Sequence, residues 1–333
     1  MWSQNRFLQW IACIILLGAS VLSAACAQDR QQTASQPTGS GWAAGQILET
    51  STGRVVALDE WLRQASTQDI IYVGEEHHNR HHIAAALTIL NGLAAAGLRP
   101  TLGMEMFAWD GQPALNDYLA SETRAQTRDT FLEQVRWKQS WGGPFEDYEP
   151  LVAFAGDRHV PLLAMNPPKS LIRGVAKEGL ARARAGTEWT TWGLQGEEIV
   201  DDPAYRARII DQLKRCHGGG TDDEYRMMYE ASMVRDEGMA KTLAAALQNM
   251  RRHAGATKQI VLSYTGGGHI QYNLPVPARV ARRMPDQLRA TTVYLASYDP
   301  AHADEIHDLL RDRIADYVWL TPFGQHGPPK RCR

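Results

Sequence analysis

Ile70-Ile-Tyr-Val-Gly-Glu-Glu-His-His-Asn79 decides the reading of this chain. The apolar run up to Gly74 reads as a buried strand, and a polar, histidine-rich segment follows at once. A helical pattern then runs from about His81 to Ala96, with Ile83, Leu87, Leu90 and Ala94 on one face and Gly97 as its stop. A second apolar run, Thr101–Phe107, closes the unit. Strand, helix and strand in this order make a right-handed crossover, and hence two parallel strands. In an open α/β sheet, groups just past the carboxyl ends of the strands converge on one crevice. Gly74-Glu75-Glu76-His77 therefore stands at that edge. Glu105, inside Gly103-Met-Glu-Met-Phe107, lies near it.

The pattern returns late in the chain. Gln259-Ile-Val-Leu-Ser-Tyr-Thr-Gly-Gly-Gly-His269 is again a strand followed by Gly-x-x-His. His159–Met165, Thr291–Ser297 and Asp316–Leu320 are further strand candidates. Ala44–Leu48, with a turn at Thr52-Gly53, pairs with Val55-Val56 as an edge hairpin. The segment from about 170 to 253 is different: long, charged and helical. Thr221-Asp-Asp-Glu224 is a capping box, and Thr242–Met250 is a strong helix former. The fold class is α/β: a mostly parallel central sheet flanked by helices, with a helical insertion at about 170–253 that covers one side of the core.

The chain has 333 residues and a formal net charge of −2, so no basic field argues for nucleic acid. Arg6 is the only charged side chain before Asp29. The apolar run Trp10–Leu17 and the small residues Ser23–Ala25 give residues 1–25 the layout of a secretory signal peptide. Leu22-Ser-Ala-Ala-Cys26 is similar to a bacterial lipobox, which makes Cys26 the lipidated residue, although its Leu stands one place further from the Cys than usual. Ordinary cleavage after Ala25-Cys-Ala27 is the alternative. Residues 26–43 read as a flexible tether, 44–325 as the α/β domain and 326–333 as a tail. Of the four cysteines, Cys216 and Cys332 remain for a disulfide, and neither sits in a zinc-type Cys-x-x-Cys.

Gly74–His82 is the densest chemical cluster. His77/His81 and His78/His82 share a helix face if the helix starts early, a spacing that chelates zinc. The plainer reading leaves His78, His81 and His82 in a solvated first turn. His269 follows three glycines that let backbone approach a ligand. Glu105 is a carboxylate in an apolar strand end and needs an imidazole or a metal as partner. Tyr272, three residues after His269, offers a phenolate of a type that ligates haem iron. Phe107, Trp109, Trp141 and Tyr148 are candidates for an apolar wall. Two imidazoles and a carboxylate at one edge suit a metal, a haem or acid/base chemistry. The chain carries no Gly-x-Ser-x-Gly, His-Glu-x-x-His, Gly-x-Gly-x-x-Gly or Walker lysine.

Over roughly residues 44–322 these motifs resemble the ChaN family of haem-binding lipoproteins, within the haem-uptake/Tiki superfamily. The resemblance is carried by Val73-Gly-Glu-Glu-His77, Gly103-Met-Glu-Met-Phe107 with Gln112 and Tyr118-Leu119, Ala164-Met-Asn-Pro167, Asp236-Glu-Gly-Met-Ala240, Gly266-Gly-Gly-His269 and Asp316-Tyr-Val-Trp-Leu-Thr-Pro322. It implies an outer-membrane lipoprotein facing the periplasm, held by a lipid anchor, that binds haem in iron uptake. Haem would sit between two subunits of a homodimer. The pocket it implies is lined by Glu75, His77, Glu105 and His269, with Tyr272 as iron ligand. His78 stands where relatives have an acidic residue. The same superfamily includes Tiki-like metal-dependent proteases and erythromycin-esterase-like hydrolases. On that reading Glu75, His77 and His269 hold a divalent metal such as zinc or manganese, and Glu75 or Glu105 activates water. A scaffold with a degenerate site would do neither.

Overall fold

Eight strands form one sheet in the order β2-β1-β8-β7-β3-β6-β4-β5 in this computed structural model. It describes residues 41–325 and Gly327, apart from positions 217, 254 and 285. The leader, Cys26, nearly all of the tether and Cys332 lie outside the described residues. No helix among the described residues is long and apolar enough to cross a membrane.

The strands are β1 (Ile47–Glu49), β2 (Val55–Val56), β3 (Ile70–Glu75), β4 (Arg99–Ala108), β5 (Leu162–Asn166), β6 (Gln259–Gly266), β7 (Ala290–Ser297) and β8 (Tyr317–Thr321). From β8 to β5 all neighbours are parallel. The edge hairpin β1–β2 is antiparallel, and β1 pairs antiparallel with β8. The two strands joined by the first crossover are not neighbours: β6 lies between β3 and β4.

Strand alternation divides the sheet into two faces. Ile71 and Val73 of β3, Leu102 and Met104 of β4, and Ile260, Leu262 and Tyr264 of β6 join one core with Ile83, Ile89 and Leu90 of the helix Arg80–Ala95. Ile70, Tyr72 and Val261 join a second core with Met239, Leu243 and Leu247 of the helix Asp222–Arg252. That long helix opens with the expected capping box of Thr221 and Glu224. It runs close to the loop after β5, since a Cβ on Gly238 would stand 2.2 Å from the Pro167 ring. The segment between β4 and β5, for which the motif pattern suggests no element, is also helical. Its helices include Gln112–Ala120, Arg124–Gln134, Trp137–Ser140 and Glu149–Asp157.

Candidate functional site at the carboxyl edge of the sheet

Alternation along β3 puts Glu75 on the face of the first core, below Tyr264 of β6. The Tyr264 hydroxyl donates to Glu75 Oε2 at 2.7 Å, and the Tyr148 hydroxyl donates to Oε1 at 2.8 Å. His77 Nδ1 lies 2.8 Å from the same Oε1. Burial pushes the Glu75 carboxyl above its ordinary range, against the pull of His77 and the two phenols. Burial likewise raises both phenols, so Tyr148 and Tyr264 stay protonated and act as donors. The His77 side chain is 46% exposed and stands edge-on to Trp141, with ring centroids 4.7 Å apart. Its Nε2 has no hydrogen-bond partner among the described residues. Lodging against its neighbours lowers the His77 pKa, but the Glu75 hydrogen bond and the Glu105 charge outweigh this and leave it raised.

Glu105 belongs to the other face, where the long helix packs. Its Oε1 lies 3.1 Å from His269 Nε2, and its Oε2 accepts the Gly266 N–H at 2.8 Å. Asp236 Oδ1 lies 2.5 Å from His269 Nδ1, and Asp236 Oδ2 accepts from the Tyr205 hydroxyl. Burial works against an imidazolium here, but the charges of Glu105 and Asp236 overcome it and raise the His269 pKa to about 10. Burial also works against a charged Glu105; the His269 charge overcomes it and holds that carboxyl well below the usual range. His269 is therefore a cation clamped at both nitrogens at neutral pH, with no lone pair to offer.

Gly266 is the point where the two faces meet. It pairs with Glu75 across β3 and gives its N–H to Glu105. A Cβ there would stand 2.7 Å from His77 Cε1 and 3.0 Å from Nε2. Gly266→Ala is expected to swing the half-exposed His77 ring off Glu75 into solvent. Because that ring is free to move, stability should fall by less than about 1 kcal/mol. The His77 pKa should return towards the ordinary histidine value. An NMR titration of His77 unchanged by the substitution would refute this.

A cleft of about 180 Å³ adjoins the cluster, lined by Glu105, Met106, Trp141, Asn166, Lys169 and Arg235 among others. Residues 61–280 match the family described as haem-binding uptake, Tiki superfamily, ChaN. The chain belongs to this family.

A solved structure described as cofacial heme binding to ChaN of Campylobacter jejuni shares the fold, with a TM-score of 0.58 and 18% identity, over 82% of this chain and 95% of that one. An erythromycin esterase in its open conformation is more distant, with a TM-score of 0.42 and 13% identity over 76% of each chain. The chloroplastic protein RETICULATA-RELATED 5 of Arabidopsis thaliana is 22% identical over 270 residues, 76% of this chain. This chain spans about a third (34%) of that curated relative's length.

In this ChaN-family chain, Glu75, His77, Glu105 and His269 come together as two carboxylate–histidine groups joined at Gly266. Tyr272 does not join them. Its ring lies under the Arg208 guanidinium, 3.5 Å away, and packs against the second core. The histidine pairs at i, i+4 do not form, because the helix starts at Arg80 under an Asn79 cap and His78 takes a left-handed backbone. His81 is exposed as expected, but His82 is not solvated. It is fully buried, its Nδ1 accepts the Glu76 N–H, and burial lowers its pKa to about 3.

The expected metal set also fails on geometry. Among the described residues no group of three or more His, Cys, Asp or Glu is arranged to hold a metal ion. Carboxylates occupy both nitrogens of His269 and one of His77. Of the aromatic wall, Phe107 is core and Trp109 donates to Thr242, whereas Trp141 and Tyr148 reach the site.

Asp236, Tyr264 and Tyr205 were not legible as site residues. Asp236 opens one of the motifs that carry the family resemblance, and with Met233 and Ala240 it shares a buried helix face, where a lone carboxylate needs a partner.

Proposed function

We propose that the chain binds haem at the carboxyl edge of its sheet, with His77 Nε2 facing the iron. The observation that carries this is the His77 ring: Glu75 fixes Nδ1, and Nε2 is unpartnered on a half-exposed face. A histidine oriented through its other nitrogen by a carboxylate is the usual arrangement of a metal-ligating imidazole. The surroundings fit an amphiphilic macrocycle. Trp141, Met106, Pro167 and Ile172 offer apolar surface, and Lys169 and Arg235 offer positive charge. The cleft is too small to enclose a tetrapyrrole, so much of the ring would lie outside it. A second copy of the chain covering that face would complete the site.

Bound haem would supply a redox-active iron, which His77 would hold. The chain's residues bind and orient: Glu75 holds the His77 tautomer, Tyr148 and Tyr264 hold Glu75, and the Asp236–His269–Glu105 chain fixes the carboxylate beside it. The family membership supports haem as ligand. The sequence features support the finer reading: a lipoprotein anchored at Cys26 on the outer membrane, facing the periplasm and serving haem and iron uptake.

Hemin titration of the purified protein, followed by absorbance, tests this. A Soret change saturating at fixed stoichiometry is expected. A change that never saturates, or that serum albumin competes away entirely, would sink the reading.

One observation favours acid/base hydrolysis as a second reading. Glu75, whose carboxyl burial pushes above its ordinary range, lies 2.8 Å from the half-exposed His77, which puts a carboxyl and an imidazole in proton-transfer contact at the open edge of the site. Ester or amide turnover lost in Glu75→Gln, without hemin binding, would establish it.

A further inference from the structure

A line of oxidisable rings leads away from His77 into the first core. Trp141 stands edge-on to His77, with ring centroids 4.7 Å apart. Tyr148 follows, 5.9 Å from Trp141, and then Trp137, 6.0 Å from Tyr148. The rings that flank the far end of this line are phenylalanines. Phe107 lies 5.6 Å from Trp137, and Phe145 lies 5.1 Å from it. A benzene ring gives up an electron far less readily than an indole or a phenol. Trp141, Tyr148 and Trp137 therefore form one track with inert walls.

The track is open at both ends. At one end His77 presents Nε2 on a half-exposed face. At the other, Trp137 is itself buried but forms a wall of a cavity of about 740 Å³. The exposed side chains of Asp129, Glu133, Arg136 and Lys138 line the same cavity, and Leu132 adds apolar surface. Its size suits a small organic molecule. An indole wall between two acids and two bases suits a neutral phenol. The middle ring has the base it needs, since a phenol sheds its proton when it loses an electron. The Tyr148 hydroxyl donates to Glu75 Oε1 at 2.8 Å, within reach of direct proton transfer. Trp141 Nε1, by contrast, is buried with no acceptor among the described residues. An electron taken from Trp141 is therefore best replaced from Tyr148.

We infer that Trp137, Tyr148 and Trp141 carry electrons from a small phenol in the Trp137 cavity to the haem edge, where hydrogen peroxide is reduced. This rests on the haem reading and adds a peroxidase activity to it, with the donor site remote from the iron. Two phenols each give up one electron and one proton and leave as phenoxyl radicals. Peroxide takes up the two electrons and two protons, its O–O bond breaks, and two waters form. The electrons pass singly. Each time Tyr148 gives one up through Trp141, its proton moves to Glu75 Oε1, and it returns when Trp137 refills the ring.

The test is radical mapping. Hemin-loaded protein is treated with equimolar hydrogen peroxide and a nitroso spin trap, and the label is located by peptide mass spectrometry. Trp137 should carry the label, and added guaiacol should remove it. Trp141→Phe and Tyr148→Phe keep an aromatic ring but break the track. Compared with the wild type at equal Soret intensity, which reports that each is folded and loaded, both should lose the label on Trp137. A wild type labelled only elsewhere, or a variant labelled on Trp137 as strongly as the wild type, overturns the track and leaves haem binding intact. So does a label on Trp137 when the hemin is held on serum albumin beside the haem-free protein, since the oxidant then travels through solution. No saturating Soret change in the wild type overturns the haem reading and the track with it.

Discussion

Substituting His77 by alanine is expected to abolish the saturable Soret change of hemin, and Glu75→Gln is expected to weaken hemin binding by about 10–100-fold. The first removes the imidazole whose Nε2 is open. The second acts at one remove. Glu75 accepts from Tyr148 on one oxygen and from Tyr264 on the other, and holds His77 Nδ1 on the first. An amide of the same size keeps one acceptor and presents N–H groups where the other oxygen stood. One phenol then loses its acceptor, and the His77 tautomer is no longer fixed. Burial without a full set of partners should also lower stability by about 1–3 kcal/mol. Hemin affinity and urea midpoints, measured on both variants, separate the two effects. Glu75→Gln with wild-type hemin affinity would remove Glu75 from the proposed site.

Asp236→Ala is expected to destabilise the fold by on the order of 3 kcal/mol near pH 6, and by much less near pH 10. Asp236 is fully buried and satisfies two groups, His269 Nδ1 and the Tyr205 hydroxyl. The pH dependence follows from His269, whose pKa rises from an ordinary 6.5 to about 10 in the fold. Between these limits the folded chain holds a proton that the unfolded chain has released. Stability from this source is complete below about 6.5 and drains away as pH rises towards 10. Removing Asp236 takes away much of what holds that proton. The difference between wild type and variant should therefore be largest at pH 6 and shrink through the window. Urea midpoints at pH 6, 8 and 10 measure it, and titrations common to both chains cancel. A loss of the same size at every pH would mean that His269 is not held as a cation.

Much of this protein was written in local sequence. Ile70–Glu75 and Gln259–Gly266 are strands because short apolar runs end at glycines, and Arg80–Ala95 is a helix because its apolar residues recur at helical spacing. The two Gly-x-x-His motifs and the carboxylate in β4 could be placed at one sheet edge, since parallel strands share a carboxyl end. Local pattern also exposed the capping box at Thr221 and the edge hairpin.

Strand order was beyond it, because order is set by which hydrophobic faces pack together over long separations. β6 enters between β3 and β4, and that insertion makes the site. It brings Tyr264 onto Glu75, Gly266 onto Glu105, and the His77 ring into the space a side chain on Gly266 would fill. Packing of the long helix then delivers Asp236 to His269, across 33 residues of chain. The fate of each histidine was likewise a tertiary matter. His82 is neutral in the core, His269 is clamped as a cation between two acids, and His77 keeps one open nitrogen. The same side chain serves three ends because burial and neighbouring charge, which no local pattern encodes, set its protonation.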